Sequence, residues 1–286
     1  MGGTTYSSIN RSTRAVASGY HTKSRSDIFG QTKKGMVHES MDSKGINLRE
    51  ARDSEAHPNT IPVILALDVT GSMGDIPHDL VKDGLPTIMQ GLIDAGLPDV
   101  ALLFLGIGDH ETDGYPLQIG QFESGDKELD LWLTRTYLEG GGGANAGESY
   151  GLTHYVASRI CKTDAWDKRK KKGILITIGD EPNLTYYPEP ALREISGEAI
   201  GKGFSDVEIL AEAEERWDVF HIHPTRHIRG NRRDSCEAYW GQLLGERYIQ
   251  ADTNELIVEA VKDIVLKQAQ VEPQDKDTTQ DTQDIL

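Results

Sequence analysis

The sequence predicts an α/β fold: a doubly wound, mostly parallel six-stranded sheet with helices on both faces. Two observations lead to this prediction. Unbroken apolar runs of strand length recur along the chain, and such runs are typical of strands that are buried on both faces. Between them lie segments with apolar residues at helical spacing, so that strands and helices alternate as this architecture requires.

The first three elements follow from clear patterns. Residues 61–67 hold apolar β-formers in a continuous run, which predicts a buried first strand. Residues 76–95 carry leucine, isoleucine and methionine at helical spacing, and Gly96 ends this helix as a C-terminal cap. Residues 100–108 are a second continuous apolar run and therefore a second buried strand.

The middle of the chain continues the alternation. Residues 116–122 alternate apolar and polar side chains, which predicts a half-exposed third strand. Residues 126–138 and 148–160 are predicted as helices on either side of a glycine run. Residues 174–178 and 217–223 are the fourth and fifth strands.

The last elements are a short sixth strand at residues 247–250 and a helix over residues 254–268. The helix has six apolar side chains at helical spacing, so it can close the domain by packing on the sheet.

The alternation predicts one domain over residues 59–268 with an extension at each end. Residues 1–58 are polar and weakly basic and lack the apolar content for a core of their own, so we expect them to lie against the domain. The expected anchors are residues 36–41, Ile46 and Leu48. Residues 269–286 are acidic and polar, which predicts a disordered tail.

Composition restricts the class of partner and the compartment. The formal net charge of −16 argues against general nucleic-acid binding, because phosphates are repelled over most of the surface. Two cysteines are too few for a disulfide framework, and no secretory signal or membrane-length apolar run is present. We therefore expect a soluble, cytoplasmic protein that binds neither nucleic acid nor membrane.

Oxygen-bearing side chains follow the first strand directly. Asp68, Thr70 and Ser72 lie in a short glycine-containing turn at its carboxyl end. In open α/β sheets, ligands bind outside the carboxyl ends of strands, and such oxygens suit Mg²⁺ or Mn²⁺. The alternative is an Asx/ST turn that caps the following helix, because Asp, Thr and Ser side chains satisfy free N–H groups at helix starts.

These three residues fit the pattern D-x-[ST]-x-S, and the chain resembles von Willebrand factor type A (VWA) domains of bacterial or phage type. In that family the pattern begins the metal-ion-dependent adhesion site (MIDAS). Residues 140–149 resemble the second loop of the family, with Asn145 at a ligand position where many relatives have Asp and others Thr. Asp180, followed by Glu-Pro, matches the last ligand position. An amide at Asn145 brings no charge, so this site is less anionic.

The resemblance covers about residues 60–268 and implies a Rossmann-like VWA fold with one antiparallel edge strand at residues 116–122. It implies Mg²⁺ (or Mn²⁺ or Ca²⁺) as cofactor, with one coordination position left for an Asp or Glu of a protein partner. Thr70 and Ser72 would act through their hydroxyls, Asn145 through its carbonyl, and Asp68 and Asp180 directly or through water. The implied function is non-catalytic, metal-dependent protein–protein interaction, and bacterial relatives often serve AAA+ ATPases of the MoxR type as adaptors.

Three alternatives remain open. A haloacid-dehalogenase-type phosphatase would use Asp68 as its nucleophile, but Thr70 stands where such enzymes have a second Asp. His221 and His223, two apart on one strand, could hold Zn²⁺ with His227. A structural or assembly protein with a vestigial metal site would bind through its N-terminal extension.

Overall fold

The computed structural model describes residues 4–140, 147–225 and 232–270. The strands in these residues are β1 (Arg49–Ala51), β2 (Ile61–Asp68), β3 (Val100–Ile107), β4 (Leu117–Ile119), β5 (Cys161–Thr163), β6 (Gly173–Ile178), β7 (Tyr186–Tyr187), β8 (Phe204–Ser205), β9 (Trp217–Pro224) and β10 (Tyr248–Ala251). The helices are α1 (Ser8–Ser18), α2 (Arg25–Ile28), α3 (Gly30–Lys34), α4 (Ile76–Asp79), α5 (Leu85–Asp94), α6 (Asp126–Arg135), α7 (Gly151–Tyr155), α8 (Asp164–Arg169), α9 (Glu189–Ser196), α10 (Asp206–Glu214), α11 (Arg232–Leu244) and α12 (Asn254–Ala269).

Six strands form the central sheet in the order β10-β9-β6-β2-β3-β4. All neighbours are parallel except β4, which runs antiparallel to β3 at one edge. The predicted mostly parallel six-stranded sheet is therefore confirmed, together with its antiparallel edge. Asp68 pairs with Ile107 of β3, and Leu67 pairs with Ile178 of β6, so these three strands end at one edge of the sheet.

Helices cover both faces of the sheet, because the side chains of β2 alternate between two apolar cores. Leu65 lies in the core that α5, α6 and α12 complete, whereas Ile64 lies in the core that α7, α10 and α11 complete. This burial on both faces explains why the central strands are apolar throughout.

The helices depart from the predictions in two ways. The helix predicted over residues 76–95 is interrupted by a π-helical turn at Leu80–Gly84, where a Cβ on Gly84 would lie 3.1 Å from Val258 Cγ2 of α12. The glycine therefore permits close packing of the two helices. Helices α1 to α3 and α8 to α11 were not predicted, although Ser205 and Glu208 form a capping box at the start of α10.

The N-terminal segment lies against the domain and contributes to its core. Phe29 and Met41 are fully buried, and Phe29 packs in the same core as Leu65. Met36 and Leu48 are exposed, so the prediction that they act as anchors was wrong. Val37 and Met41, which lie in the predicted range 36–41, are buried as expected, and the Met41 carbonyl oxygen accepts a hydrogen bond from the Ile119 amide of β4.

The predicted disordered tail falls largely on residues 271–286, which lie outside the described residues. Within the described residues, each helix is too short or too polar to cross a membrane.

Candidate functional site

Asp68 is the last residue of β2, and its carboxylate is fully buried. Its Oδ1 atom accepts hydrogen bonds from the Thr70 backbone amide at 2.8 Å and from the Thr70 hydroxyl at 2.6 Å. Its Oδ2 atom accepts a hydrogen bond from the Tyr150 hydroxyl at 3.1 Å. Three donors thus hold this carboxylate in one orientation.

Thr70, Ser72 and Asp180 extend this network across the edge of the sheet. Ser72 Oγ donates to Asp180 Oδ1 at 2.8 Å, which joins the loop after β2 to the loop after β6. The hydroxyl oxygens of Thr70 and Ser72 lie 3.1 Å apart. Asp68, Thr70, Ser72 and Asp180, four of the five residues that the resemblance assigns to the metal, therefore lie together.

The fifth residue, Asn145, lies outside the described residues. The far end of its loop is described, and there the Glu148 backbone amide donates to the Pro182 carbonyl oxygen at 2.9 Å. Asn183 Oδ1 accepts from the Gly151 amide at the start of α7, also at 2.9 Å. The loop that carries Asn145 is thus fastened to the loop that carries Asp180.

The alternative for the first loop is met in part: the Thr70 amide donates to Asp68 Oδ1 as in an Asx turn, but the side chains of this loop do not cap the following helix. The turn at Gly71–Met73 begins after Thr70, whose side chain makes no capping hydrogen bond. Asp75, which precedes α4, likewise makes no side-chain cap. The hydroxyls of Thr70 and Ser72 instead face the carboxylates of Asp68 and Asp180.

Hydrogen positions in this network follow from acid–base chemistry. When Asp68 and Asp180 are ionised they only accept, so the Thr70 hydrogen points to Asp68 and the Ser72 hydrogen points to Asp180. The two hydroxyl oxygens then face each other with lone pairs and with no hydrogen between them. Neighbouring oxygens around a six-coordinate Mg²⁺, at about 2.1 Å from the ion, are about 3 Å apart. The observed 3.1 Å separation fits such an ion.

The electrostatics of this edge are acidic. Burial, together with the charge of Asp180, raises the pKa of Asp68 to about 7, although the hydrogen bonds from Thr70 and Tyr150 oppose the shift. Burial also raises the pKa of Glu148 to about 10, with contributions from Asp68 and other acids. A positive charge placed here would stabilise the ionised carboxylates.

Two residues of this edge were not assigned a role from the sequence. Tyr150 contacts Asp68 from 82 residues away, and nothing in the local pattern indicates this contact. Glu148 is 5% exposed, and its Oε2 atom has no hydrogen-bond partner among the described residues. The Gly-Glu-Ser signature places Glu148 at the start of a helix, but sequence alone does not show that it is buried.

The zinc alternative does not fit the surroundings of His221. Its Nδ1 atom lies 2.7 Å from the Thr177 hydroxyl, and its Nε2 atom lies 3.2 Å from the Gly179 carbonyl oxygen. The ring stacks on Trp240 at 3.9 Å, as a core histidine does. His227, the third proposed ligand, lies outside the described residues.

The structure brings few strong metal ligands together in the part of the chain that it describes. Within residues 4–140, 147–225 and 232–270, no group of three or more His, Cys, Asp or Glu side chains is arranged to hold a metal ion. The network described here has two carboxylates, from Asp68 and Asp180, and its remaining oxygens are hydroxyls.

No protein-family model and no curated protein matches the sequence. Among solved structures, the pilus adhesin SpaC from Lactobacillus rhamnosus GG in its open conformation is similar with a TM-score of 0.48 and 11% identity. The similarity covers 77% of this chain and 31% of SpaC, so this chain spans about a third of that protein.

Two other similar structures are of nearly the same size as the domain. The vWF domain of the type V pili tip protein Mfa5 from Porphyromonas gingivalis has a TM-score of 0.46 and 10% identity, over 73% of this chain and 94% of that chain. The conserved hypothetical protein BatB from Bacteroides thetaiotaomicron has a TM-score of 0.42 and 16% identity, over 74% of this chain and 100% of BatB. All three TM-scores are below 0.5, so these likenesses carry no argument about function.

Proposed function

We propose that this chain is a non-catalytic interaction module of the VWA type, which binds a divalent cation at the carboxyl edge of its sheet and, through that cation, a carboxylate of a protein partner. The observation that carries the proposal is the pair of hydroxyl oxygens on Thr70 and Ser72. They lie 3.1 Å apart, and each is hydrogen-bonded to a carboxylate, Thr70 to Asp68 at 2.6 Å and Ser72 to Asp180 at 2.8 Å.

The residues that would hold the cation differ in role. Thr70 and Ser72 would ligate through their hydroxyl oxygens, Asp180 through its carboxylate and Asn145 through its amide carbonyl. Asp68 would orient Thr70, because its Oδ1 atom already accepts two hydrogen bonds from that residue. When bound, the ion supplies positive charge to an acidic edge and exchangeable positions for a partner Asp or Glu.

The small number of protein ligands favours Mg²⁺ or Mn²⁺. Mg²⁺ keeps several waters and is usually bound by one or two carboxylates, whereas Ca²⁺ takes about six to eight oxygen ligands. We therefore propose Mg²⁺ or Mn²⁺ as the preferred ion, with Ca²⁺ binding more weakly.

Absence of catalysis is part of the proposal. In the phosphatase alternative Asp68 is the nucleophile, but this residue is fully buried and both of its oxygens accept hydrogen bonds. Neither oxygen is therefore presented to a substrate. The structural or assembly alternative needs no cation, so metal binding distinguishes it from our proposal.

The proposed partner is a protein that offers an Asp or Glu, and a MoxR-type AAA+ ATPase is one candidate. We place the interaction in the cytoplasm because both cysteines, Cys161 and Cys236, are buried free thiols, which suits a reducing compartment. Capture of the ATPase by the immobilised chain in Mg²⁺, and its release by a chelator, would support this assignment. Capture that a chelator leaves unchanged would contradict it.

Isothermal titration of Mg²⁺ and Mn²⁺ into the metal-stripped protein tests the cation site. We expect saturable binding to the wild type and at least a tenfold weaker affinity in Asp68→Asn and Ser72→Ala. Asp94→Asn removes an exposed acid that accepts from Gln90 on α5, and it should bind as the wild type does. No saturable binding to the wild type would overturn the proposal in favour of the assembly alternative. Phosphomonoester turnover that Asp68→Asn abolishes would instead establish the phosphatase.

A further inference from the structure

Tyr150 is the fully buried residue that precedes α7, and it reaches the ends of two strands. Its hydroxyl donates to Asp68 Oδ2 at 3.1 Å, at the end of β2. A Cβ built on Gly179, which follows β6, would lie 1.8 Å from the same hydroxyl oxygen. The hydroxyl therefore lies against the backbone just before Asp180, and only glycine at position 179 leaves room for it.

We propose that Tyr150 is a positioning residue of the cation site: its hydroxyl fixes the Asp68 carboxylate so that Asp68 acts on the cation through Thr70 and not as a direct ligand. This inference rests on the proposed function, since it concerns how the same site holds its ion.

The division of hydrogen bonds on Asp68 supports this role. Both donors of Thr70 bind Oδ1, and the Tyr150 hydroxyl binds Oδ2, so the carboxylate cannot rotate without breaking one of these contacts. Because the carboxylate is held, the Thr70 hydroxyl continues to donate its hydrogen to Asp68. Its lone pairs then remain available to the cation. Loss of the Tyr150 hydroxyl would free Oδ2 to turn toward the ion.

Packing holds the Tyr150 ring in place. It meets His221 edge-to-face with the ring centroids 5.2 Å apart, and it meets Trp240 in the same manner at 5.5 Å. Since both neighbours are themselves fully buried, the hydroxyl has one available position. Such rigid support is what a precisely spaced ligand pair requires.

The test is Tyr150→Phe, which removes the hydroxyl and keeps the ring. The matched control is Tyr155→Phe on the same helix, where the ring stacks on Phe204. Titration calorimetry with Mn²⁺ and with Ca²⁺ gives two dissociation constants for each protein, and thermal melts without metal report stability. We expect Tyr150→Phe to bind Mn²⁺ about tenfold more weakly and to discriminate less against Ca²⁺, because a freed Asp68 can ligate a larger ion. Tyr155→Phe should keep both constants within about twofold of the wild type.

The preference for Mn²⁺ over Ca²⁺ is the decisive quantity. If Tyr150 had a purely structural role, Tyr150→Phe would lower the melting temperature and leave this preference unchanged. Wild-type affinity and preference in Tyr150→Phe would overturn the role of Tyr150 and leave the proposed function intact. A wild type that binds neither ion would overturn both.

Gly179→Ala is the second variant, since its methyl group displaces Tyr150 while every proposed ligand remains. It should also weaken Mn²⁺ binding and narrow the preference, and an unchanged preference would count against the inference.

Discussion

Arg25 donates a hydrogen bond from Nη1 to the Gly74 carbonyl oxygen across 2.6 Å. This contact joins the N-terminal segment to the end of the loop that carries Thr70 and Ser72. Gly74 has a φ of 53° and a ψ of −121°, a conformation that other residues rarely adopt. The N-terminal segment therefore helps to hold the candidate cation site in shape.

We expect Arg25→Met to weaken Mn²⁺ binding several-fold and to lower the free energy of unfolding by about 1–3 kcal/mol, because a hydrogen bond from a charged group is lost. Arg14→Met is the control: Arg14 pairs with Asp126 and Asp130 of α6, and its loss should lower stability without changing Mn²⁺ affinity. Calorimetric titration and urea unfolding of both variants measure the two quantities. Equal Mn²⁺ affinity in Arg25→Met and the wild type would show that the segment does not support the site.

The sheet could be predicted from the sequence because strands buried on both faces leave continuous apolar runs. Residues 61–67, 100–108 and 174–178 are such runs, and the observed strands end within one residue of these limits. Helices α9 to α11 have no comparable pattern. Each packs on one side only, and the local signals are short: Pro190 and Gly197 at the two ends of α9, and the capping box of α10.

The local part of the candidate site could likewise be predicted, and the long-range part could not. Asp68, Thr70 and Ser72 are near neighbours in sequence, and Asp180 follows a strand that parallel topology places beside them. The contact from Tyr150 depends on how its ring packs beside Gly179. Sequence spacing does not encode such packing, and an aromatic residue at the start of a helix is ordinarily a core residue.

Phe29 tests whether the N-terminal segment is an integral part of the domain. Its side chain is fully buried in the core shared by β2, α5 and α12. We expect Phe29→Ala to reduce the free energy of unfolding by about 3–5 kcal/mol, because it leaves a cavity. Ile9→Ala, in the same segment but 78% exposed, should change it by less than about 0.5 kcal/mol. Urea unfolding followed by circular dichroism measures both, and similar small effects for the two variants would mean that the segment is dispensable for stability.

Glu148 makes the stability of the metal-stripped protein depend on pH. Burial and the nearby acids raise the pKa of this carboxyl to about 10 in the folded protein, against about 4.5 when it is unfolded. Between these values the folded state keeps a proton that the unfolded state has lost, so stability falls as pH rises. Buried histidines instead make the stability rise with pH in the acidic range. Burial lowers the pKa of His154, for example, to about 3. Above pH 7 the histidines contribute little, but Asp68, whose pKa is about 7, still loses its proton near the lower end of the range from pH 7 to 8.5.

One proton corresponds to about 1.4 kcal/mol for each pH unit, so the wild type should lose about 2 kcal/mol over this range. For a domain of this size the melting temperature should fall by about 5 °C. Glu148→Gln, which cannot ionise, should keep only the small pH dependence that Asp68 contributes, and it should melt above the wild type at pH 8.5. Glu246→Gln, a change at an exposed acid, should keep the wild-type slope. Differential scanning calorimetry in chelator measures these temperatures, and a wild-type slope in Glu148→Gln would assign the pH dependence to another group.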